Sequence, residues 1–174
     1  MSFADITLFA LRAILGLIFA AHGAQKAFGW WNGPGYQRWT QAIASMRIHP
    51  VGLWAFVSVA AELGAGLALA VGLLTPFAVA ALIGQSVVII IKVHLPKGFF
   101  NSTGGIEFPL SLVGGLLAIM GLGAGALAID AAVGLPAFSV PFRLLLLGIG
   151  FAGGLVALSM TRLQAAEQPL PAPR

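Results

Sequence analysis

The sequence contains no cysteine, only one tyrosine and few charged residues. The absence of cysteine excludes disulfides, thiol redox centres and thiolate metal sites from this chain. Charged residues make up 8% of the sequence and hydrophobic residues 59%, which is far from the composition of soluble proteins. The nine Lys and Arg residues are scattered rather than clustered, so nucleic acid is not expected as a partner. We therefore predict an integral membrane protein whose main partner is the lipid bilayer.

Long apolar runs recur along the whole chain, each close to the length of about 20 residues that crosses a bilayer as a helix. Proline residues fall at or near the start of several runs, where the missing N–H group costs nothing. The first run has Asp5 ahead of it and Arg12 within it, so it is expected to be a retained helix rather than a signal peptide. The pattern predicts an all-α protein with spans at about 6–27, 52–73, 76–95, 107–124 and 142–161.

The segment GYQRWTQAIASMRIHP lies between the first two predicted spans. Its Tyr36, Trp39, Ile43 and Met46 recur at steps of three and four residues, which predicts an amphipathic helix of about three turns. Tryptophan and tyrosine are typical of the membrane–water interface. We expect this helix to lie in the headgroup region.

The positive charges are distributed unevenly between the two sides that five spans would define. One side holds the C-terminus and most of the lysines and arginines, whereas the other side holds only Arg12 and Arg143. By the positive-inside rule the N-terminus is expected outside and the C-terminus in the cytoplasm. Arg12 is interpreted as an interfacial anchor.

Polar residues within the spans and at their ends carry the functional hypothesis, because a charged group in lipid must be paired or neutralised. Glu62 lies about eleven residues into the second span, near mid-membrane. The other polar groups end the first and third spans or begin the fourth, and so lie in the same half of the bilayer. We predict one pocket for ligand binding or proton handling, lined by His22, Gln25, Lys26, Glu62, Gln85, Lys92, His94 and Glu107.

Simpler roles for these residues remain open. Lysines at helix ends also extend to lipid phosphates, and histidines also bond to neighbouring helices. Two histidines with two glutamates could ligate zinc or iron, but no spacing in the sequence dictates such a site, so no metal is predicted.

Three motifs carry a family resemblance: LRAILGLIFAAHGAQKAFGW with the following GPG, AELGAGLALAVGLLTP, and KVHLPKGFFNSTGGIEFPL. Together they resemble the DoxX family of small bacterial and archaeal inner-membrane proteins, over roughly residues 8–130. The resemblance implies a DoxX-like four-helix transmembrane bundle over residues 1–130. A fifth C-terminal span within 131–163 and a disordered tail over 164–174 are then expected beyond it. The family pattern includes His22, Lys26, Glu62, His94 and Glu107, but it brings no catalytic assignment to them.

Members of that family are associated with quinone-linked oxidation of sulfur compounds and with redox-stress complexes. The leading hypothesis is therefore a subunit that binds a quinone head group or a small anion and acts with a partner oxidoreductase. Such a subunit is not a self-sufficient enzyme and has no intrinsic cofactor, although a quinone would be its ligand. A small-solute or anion transporter, a scaffold of a membrane complex and a homo-oligomer remain alternatives, the first because the two predicted hairpins carry similar polar residues.

Overall fold

The computed structural model describes residues 2–167, with side chains described up to residue 160, and within this range all regular structure is helical. Short single-turn helices at Trp30–Asn32 and Asn101–Thr103 lie in the connections. The main helices are α1 (Phe3–Phe28), α2 (Gly35–Ser45), α3 (Val51–Val71), α4 (Thr75–Lys97), α5 (Glu107–Leu122), α6 (Ile129–Ala132) and α7 (Val140–Glu167). The expected all-α membrane bundle is confirmed.

Four helices in the described range are long and apolar enough to cross a membrane, namely α1, α3, α4 and residues Val140–Met160 of α7. Many of their apolar side chains are exposed, among them Phe56 at 62% and Leu144 at 62%, as expected for surfaces that face lipid. Helix α5 has 16 residues and would be about 24 Å long, so it is shorter than the spans around it. The disordered tail was predicted for residues 164–174. Helix α7 continues to Glu167, and from residue 168 on the predicted tail lies outside the described residues.

Glycines allow the helices to pack closely in two places. A Cβ atom on Gly16 would lie 2.5 Å from the backbone nitrogen of Ala70, and one on Gly23 would overlap the backbone nitrogen of Leu63, so α1 and α3 touch through their backbones. A Cβ on Gly84 of α4 would lie 2.6 Å from the carbonyl oxygen of Gly150 of α7. Such contacts let membrane helices gain van der Waals energy without a hydrophobic driving force.

Helices α3 and α4 each contain a π-helical segment, Ala60–Ala65 in α3 and Ile90–His94 in α4. A π-helical segment inserts an extra residue into the turn and is frequent at functional sites. The segment in α3 contains Glu62, the only carboxylate within that helix. The irregularity therefore falls at the position where the sequence places a buried charge.

The predicted amphipathic helix is confirmed as α2, which has 11 residues. Ile43 is 3% exposed and packs in a small apolar cluster with Ile48 and Ala55, while Trp39 and Met46 pack against that cluster. Tyr36 stays exposed. Helix α2 therefore covers one end of α3 with its apolar face.

Arg12 corrects the interpretation of this residue as an interfacial anchor. Its side chain is 0% exposed, and its guanidinium donates to the carbonyl oxygens of Ala124 and Leu127 in the segment between α5 and α6. A Cβ on Gly72, which has a φ of 72°, would lie 2.8 Å from the guanidinium carbon. The anchor interpretation is wrong because a segment more than a hundred residues away folds over this arginine, which hydropathy cannot reveal.

Candidate functional site

The centre of the candidate site is an ion pair between α1 and α3. The Nζ atom of Lys26 lies 2.5 Å from Oε1 of Glu62, and the two side chains are 12% and 2% exposed. Lys26 lies in the last turn of α1, and Glu62 lies in the π-helical segment of α3. The close backbone contact at Gly23 brings these two helices together one turn before Lys26. A charge pair this well buried is stable only because each charge has its partner.

Gln85 of α4 extends the pair into a hydrogen-bonded chain. Its Nε2 donates to Oε1 of Glu62 at 3.1 Å and to Oγ of Ser58 at 2.7 Å. Oε1 of Glu62 therefore accepts from both Lys26 and Gln85, whereas its Oε2 is buried without a hydrogen-bond partner. Ser58 is 4% exposed and acts here as an acceptor, which leaves its own O–H group as a donor.

Trp39 of α2 covers the pair from the other side. Nζ of Lys26 lies 4.0 Å from the centre of the indole ring, which is a cation–π distance. The Nε1 atom of Trp39 is buried and has no hydrogen-bond partner. An indole N–H can only donate, so this group is available to an acceptor that the described residues do not supply.

A cavity of about 520 Å³ lies beside this chain of polar groups, between α2, α3, α4 and α7. Its lining is almost entirely apolar, with Ser58, Gln85 and Trp39 among the few residues that offer polar atoms. Clefts of this size, apolar with a few fixed polar groups, are typical of small-molecule sites. Gln85 connects the cavity to the ion pair, because it lines the cavity and donates a hydrogen bond to Glu62.

The structure thus brings together three of the predicted site residues: Lys26, Glu62 and Gln85. Gln25 lies on the same turn as Lys26 but packs against Gly33. A Cβ atom added to Gly33 would lie 2.6 Å from the Cβ atom of Gln25. His22 is exposed and makes no hydrogen bond or ion pair within the described part of the chain. It therefore does not join the polar chain.

The remaining three candidates make contacts in the loops. Nζ of Lys92 lies 3.5 Å from the carbonyl oxygen of Met46, and Nδ1 of His94 lies 2.7 Å from that of Gly104. Oε2 of Glu107 accepts from the backbone N–H of Asn101 at 2.8 Å. None of these three contacts the Lys26–Glu62 pair. Among the residues whose side chains are described, no three His, Asp or Glu lie close enough to hold a metal ion.

Sequence reasoning missed Ser58 and Trp39 as members of the site. Ser58 is a small neutral residue in a span, where serine is common, and Trp39 was interpreted only as part of an apolar face. A signal was present for Ser58, because it lies four residues before Glu62 and so on the same face of the helix. Arg12 met the same criterion that singled out Glu62, a charge inside a span, but was assigned to the membrane surface.

The fold and site together define a small α-helical protein with several membrane spans and a buried charge pair beside an apolar cavity. The DoxX family model matches residues 7–95, just over half of the chain, and the chain belongs to the DoxX family. The matched region contains Lys26, Glu62, Gln85, Ser58 and Trp39, whereas α5 to α7 lie outside it. No curated protein and no solved structure matches the chain.

Proposed function

We propose that this protein is a redox-associated membrane subunit that binds a quinone head group in the cavity beside Gln85 and handles protons through Lys26 and Glu62. The proposal extends to a bacterial inner membrane, with the Lys26 end of the bundle facing the cytoplasm. One observation carries it: an apolar cavity is lined by Trp39 and Ser58, two residues with unused hydrogen-bond donors, and is joined by Gln85 to a buried ion pair.

The chemistry of the cavity wall suits a quinone. The carbonyl oxygens of a quinone only accept hydrogen bonds, and the indole N–H of Trp39 and the O–H of Ser58 are donors without an acceptor among the described residues. The rest of the lining is apolar, as an isoprenoid tail and a ring require. A hydrophilic solute would leave most of this lining without a matching surface, which is why we prefer a quinone to a transported ion.

A bound quinone supplies the acceptor of two electrons and two protons. The Lys26–Glu62 pair provides a group that can hold a proton: Oε2 of Glu62 has no hydrogen-bond partner, and Oε1 accepts from both Lys26 and Gln85. Ser58 can donate a hydrogen bond to a quinone carbonyl oxygen while its own oxygen accepts from Gln85. We assign the electron donor to a partner oxidoreductase, since the chain has no cysteine and the family resemblance points to such complexes.

A pair of glycine substitutions in α7 tests the cavity directly. A Cβ on Gly153 or on Gly148 would meet no atom within 4 Å, so both sites tolerate a side chain, but only Gly153 lines the cavity. We expect Gly153→Leu to weaken binding of a short-chain quinone analogue about tenfold or more because the side chain occupies the cavity, and Gly148→Leu to leave it unchanged. Binding is measured by titration of the purified protein in lipid nanodiscs.

Equal affinities in wild type and both variants would overturn the assignment of the cavity. Loss of binding in both variants, with the fold intact by circular dichroism, would indicate that the analogue binds the lipid-facing surface of α7 instead. A transporter would be favoured if reconstituted protein, with no partner present, carried a solute across vesicles at a rate that Gly153→Leu reduced.

A further inference from the structure

A second cavity, of about 320 Å³, lies at the opposite end of the bundle, where α5 ends and α4 and α7 begin. Three of its lining residues carry polar or charged groups: Thr75 of α4, Asp130 of α6 and Arg143 of α7. None of them belongs to the region of Lys26 and Glu62, and none was predicted as a site residue. The cavity is therefore separate from the proposed quinone site.

Some polar groups of this second cavity have hydrogen-bond partners in the structure, and others have none. Asp130 accepts from the backbone N–H groups of Leu74 at 2.6 Å and Thr75 at 2.9 Å, so both carboxylate oxygens are engaged in holding the start of α4. The hydroxyl of Thr75 is different: the residue is 1% exposed, and its Oγ1 is buried with no hydrogen-bond partner. A buried hydroxyl without a partner is unfavourable unless a ligand or water meets it.

Arg143 is also only partly satisfied. Its Nη1 donates to the carbonyl oxygens of Met120 at 2.9 Å and Gly121 at 2.8 Å, at the end of α5. Its Nε is buried and has no hydrogen-bond partner. An N–H donor of an always charged guanidinium therefore lies beside the cavity without an acceptor.

The balance of charge around the cavity favours an anion. The buried guanidinium of Arg12 is near enough to Asp130 for their opposite charges to attract, which reduces the effect of the negative charge of Asp130. Among the residues whose side chains are described, no other carboxylate lines the cavity, and Arg143 has no counter-charge there. The oxygen atoms of an oxyanion are acceptors of the kind that Nε of Arg143 and the hydroxyl of Thr75 both lack.

We propose that this cavity is a binding site for a small oxyanion group, either a free anion such as phosphate or sulfate or the phosphate of an anionic lipid headgroup. Thr75 and Arg143 are its recognition residues. Asp130 keeps the start of α4 in place, with both of its carboxylate oxygens engaged there.

Thr75→Val is the central test because it separates binding from stability. The substitution keeps the branched shape and removes a hydroxyl that has no partner, so the protein without ligand should unfold at the same or a higher temperature. Anion affinity should fall about tenfold, since a charge-assisted hydrogen bond is lost. Arg143→Gln should abolish binding, and Arg38→Gln, an exposed arginine of α2, is the matched control for loss of one positive charge.

The probes are sodium phosphate and sodium sulfate at constant ionic strength, added to the full chain in nanodiscs of zwitterionic lipid, with the shift in unfolding temperature as the readout. Stabilisation by either salt that Thr75→Val reduces supports a free anion. Stabilisation that requires phosphatidylglycerol in the nanodisc, and that Thr75→Val reduces, supports a lipid phosphate. If neither probe stabilises the protein, or if Thr75→Val and wild type respond equally, the proposal is overturned.

Discussion

Lys26 and Arg12 are two buried cations on α1, fourteen residues and thus about 21 Å apart, and their surroundings differ in kind. Arg12 donates to the carbonyl oxygens of Ala124 and Leu127, which cannot be protonated near neutral pH. Lys26 is paired with Glu62, a group that can gain or lose a proton, and the pair is connected through Gln85 to a cavity. The comparison indicates that the Arg12 end serves only to hold the structure together, whereas the proton handling that we propose requires the Lys26 end, where a carboxylate adjoins a cavity.

The largest effect is expected from removing the cation at the fixed end. Arg12→Met leaves two carbonyl groups without a donor and Asp130 without its nearby positive charge, so we expect a loss of about 3 kcal/mol in the free energy of unfolding. Denaturant unfolding in detergent, followed by far-ultraviolet circular dichroism, measures it. Arg38→Met, at an exposed arginine, is the control and should change stability by less than about 0.5 kcal/mol. Equal stability of the two variants would contradict the fixed role of Arg12.

The second effect tests whether Lys26 and Glu62 can be replaced together. Glu62→Gln alone removes the counter-charge of Lys26, which is 12% exposed, and should cost about 2 kcal/mol. Lys26→Met with Glu62→Leu should recover most of that loss. The double variant should still fold but should lose proton uptake linked to quinone reduction in the complex with its partner. The same unfolding experiment, with a pH-sensitive dye for proton uptake, makes the comparison.

If the double variant stays as unstable as Glu62→Gln, the Lys26–Glu62 pair is structural in the same sense as the Arg12 contacts. If it retains full proton uptake, Glu62 is not on the proton path.

The smallest effect concerns a predicted site residue outside the polar chain. Lys92 makes one long contact of 3.5 Å with the carbonyl oxygen of Met46 and is partly exposed. Lys92→Met should therefore change stability by about 0.5 kcal/mol or less and leave quinone affinity unaltered. A loss of affinity comparable to that of Gly153→Leu would show that the site extends farther along α4 than the Lys26–Glu62 chain does.

The hydropathy of the sequence predicted helices α1, α3 and α4 to within a few residues, because long apolar runs bounded by glycine and proline are a strong signal. It did not reveal the π-helical segments at Ala60–Ala65 and Ile90–His94, since an extra residue in a turn leaves composition unchanged. The span predicted at 107–124 ends earlier in the structure, at Leu122. The resulting helix α5 has 16 residues and is shorter than the four helices that are long enough to cross a membrane.

The candidate site was predictable in part for a physical reason. Glu62 stands out because a carboxylate inside a span needs a partner, and Lys26 follows because it lies in the same half of the bilayer. The partners of Arg12, by contrast, come from a segment between α5 and α6 that has no helical periodicity linking it to α1. Whether His94 and Glu107 serve a ligand stays a prediction; in the structure their contacts are with the loops.

Fluorescence of single tryptophans tests the central claim, that a quinone binds in the cavity between α2, α3, α4 and α7, most directly. Two variants are compared. One keeps Trp39, which lines the cavity, as its only tryptophan, and the other keeps only Trp30, which lies outside the cavity and is 55% exposed. Titration with a short-chain quinone in nanodiscs should quench Trp39 saturably and Trp30 only in proportion to the quinone dissolved in the lipid. Equal, non-saturating quenching of both tryptophans would contradict the account.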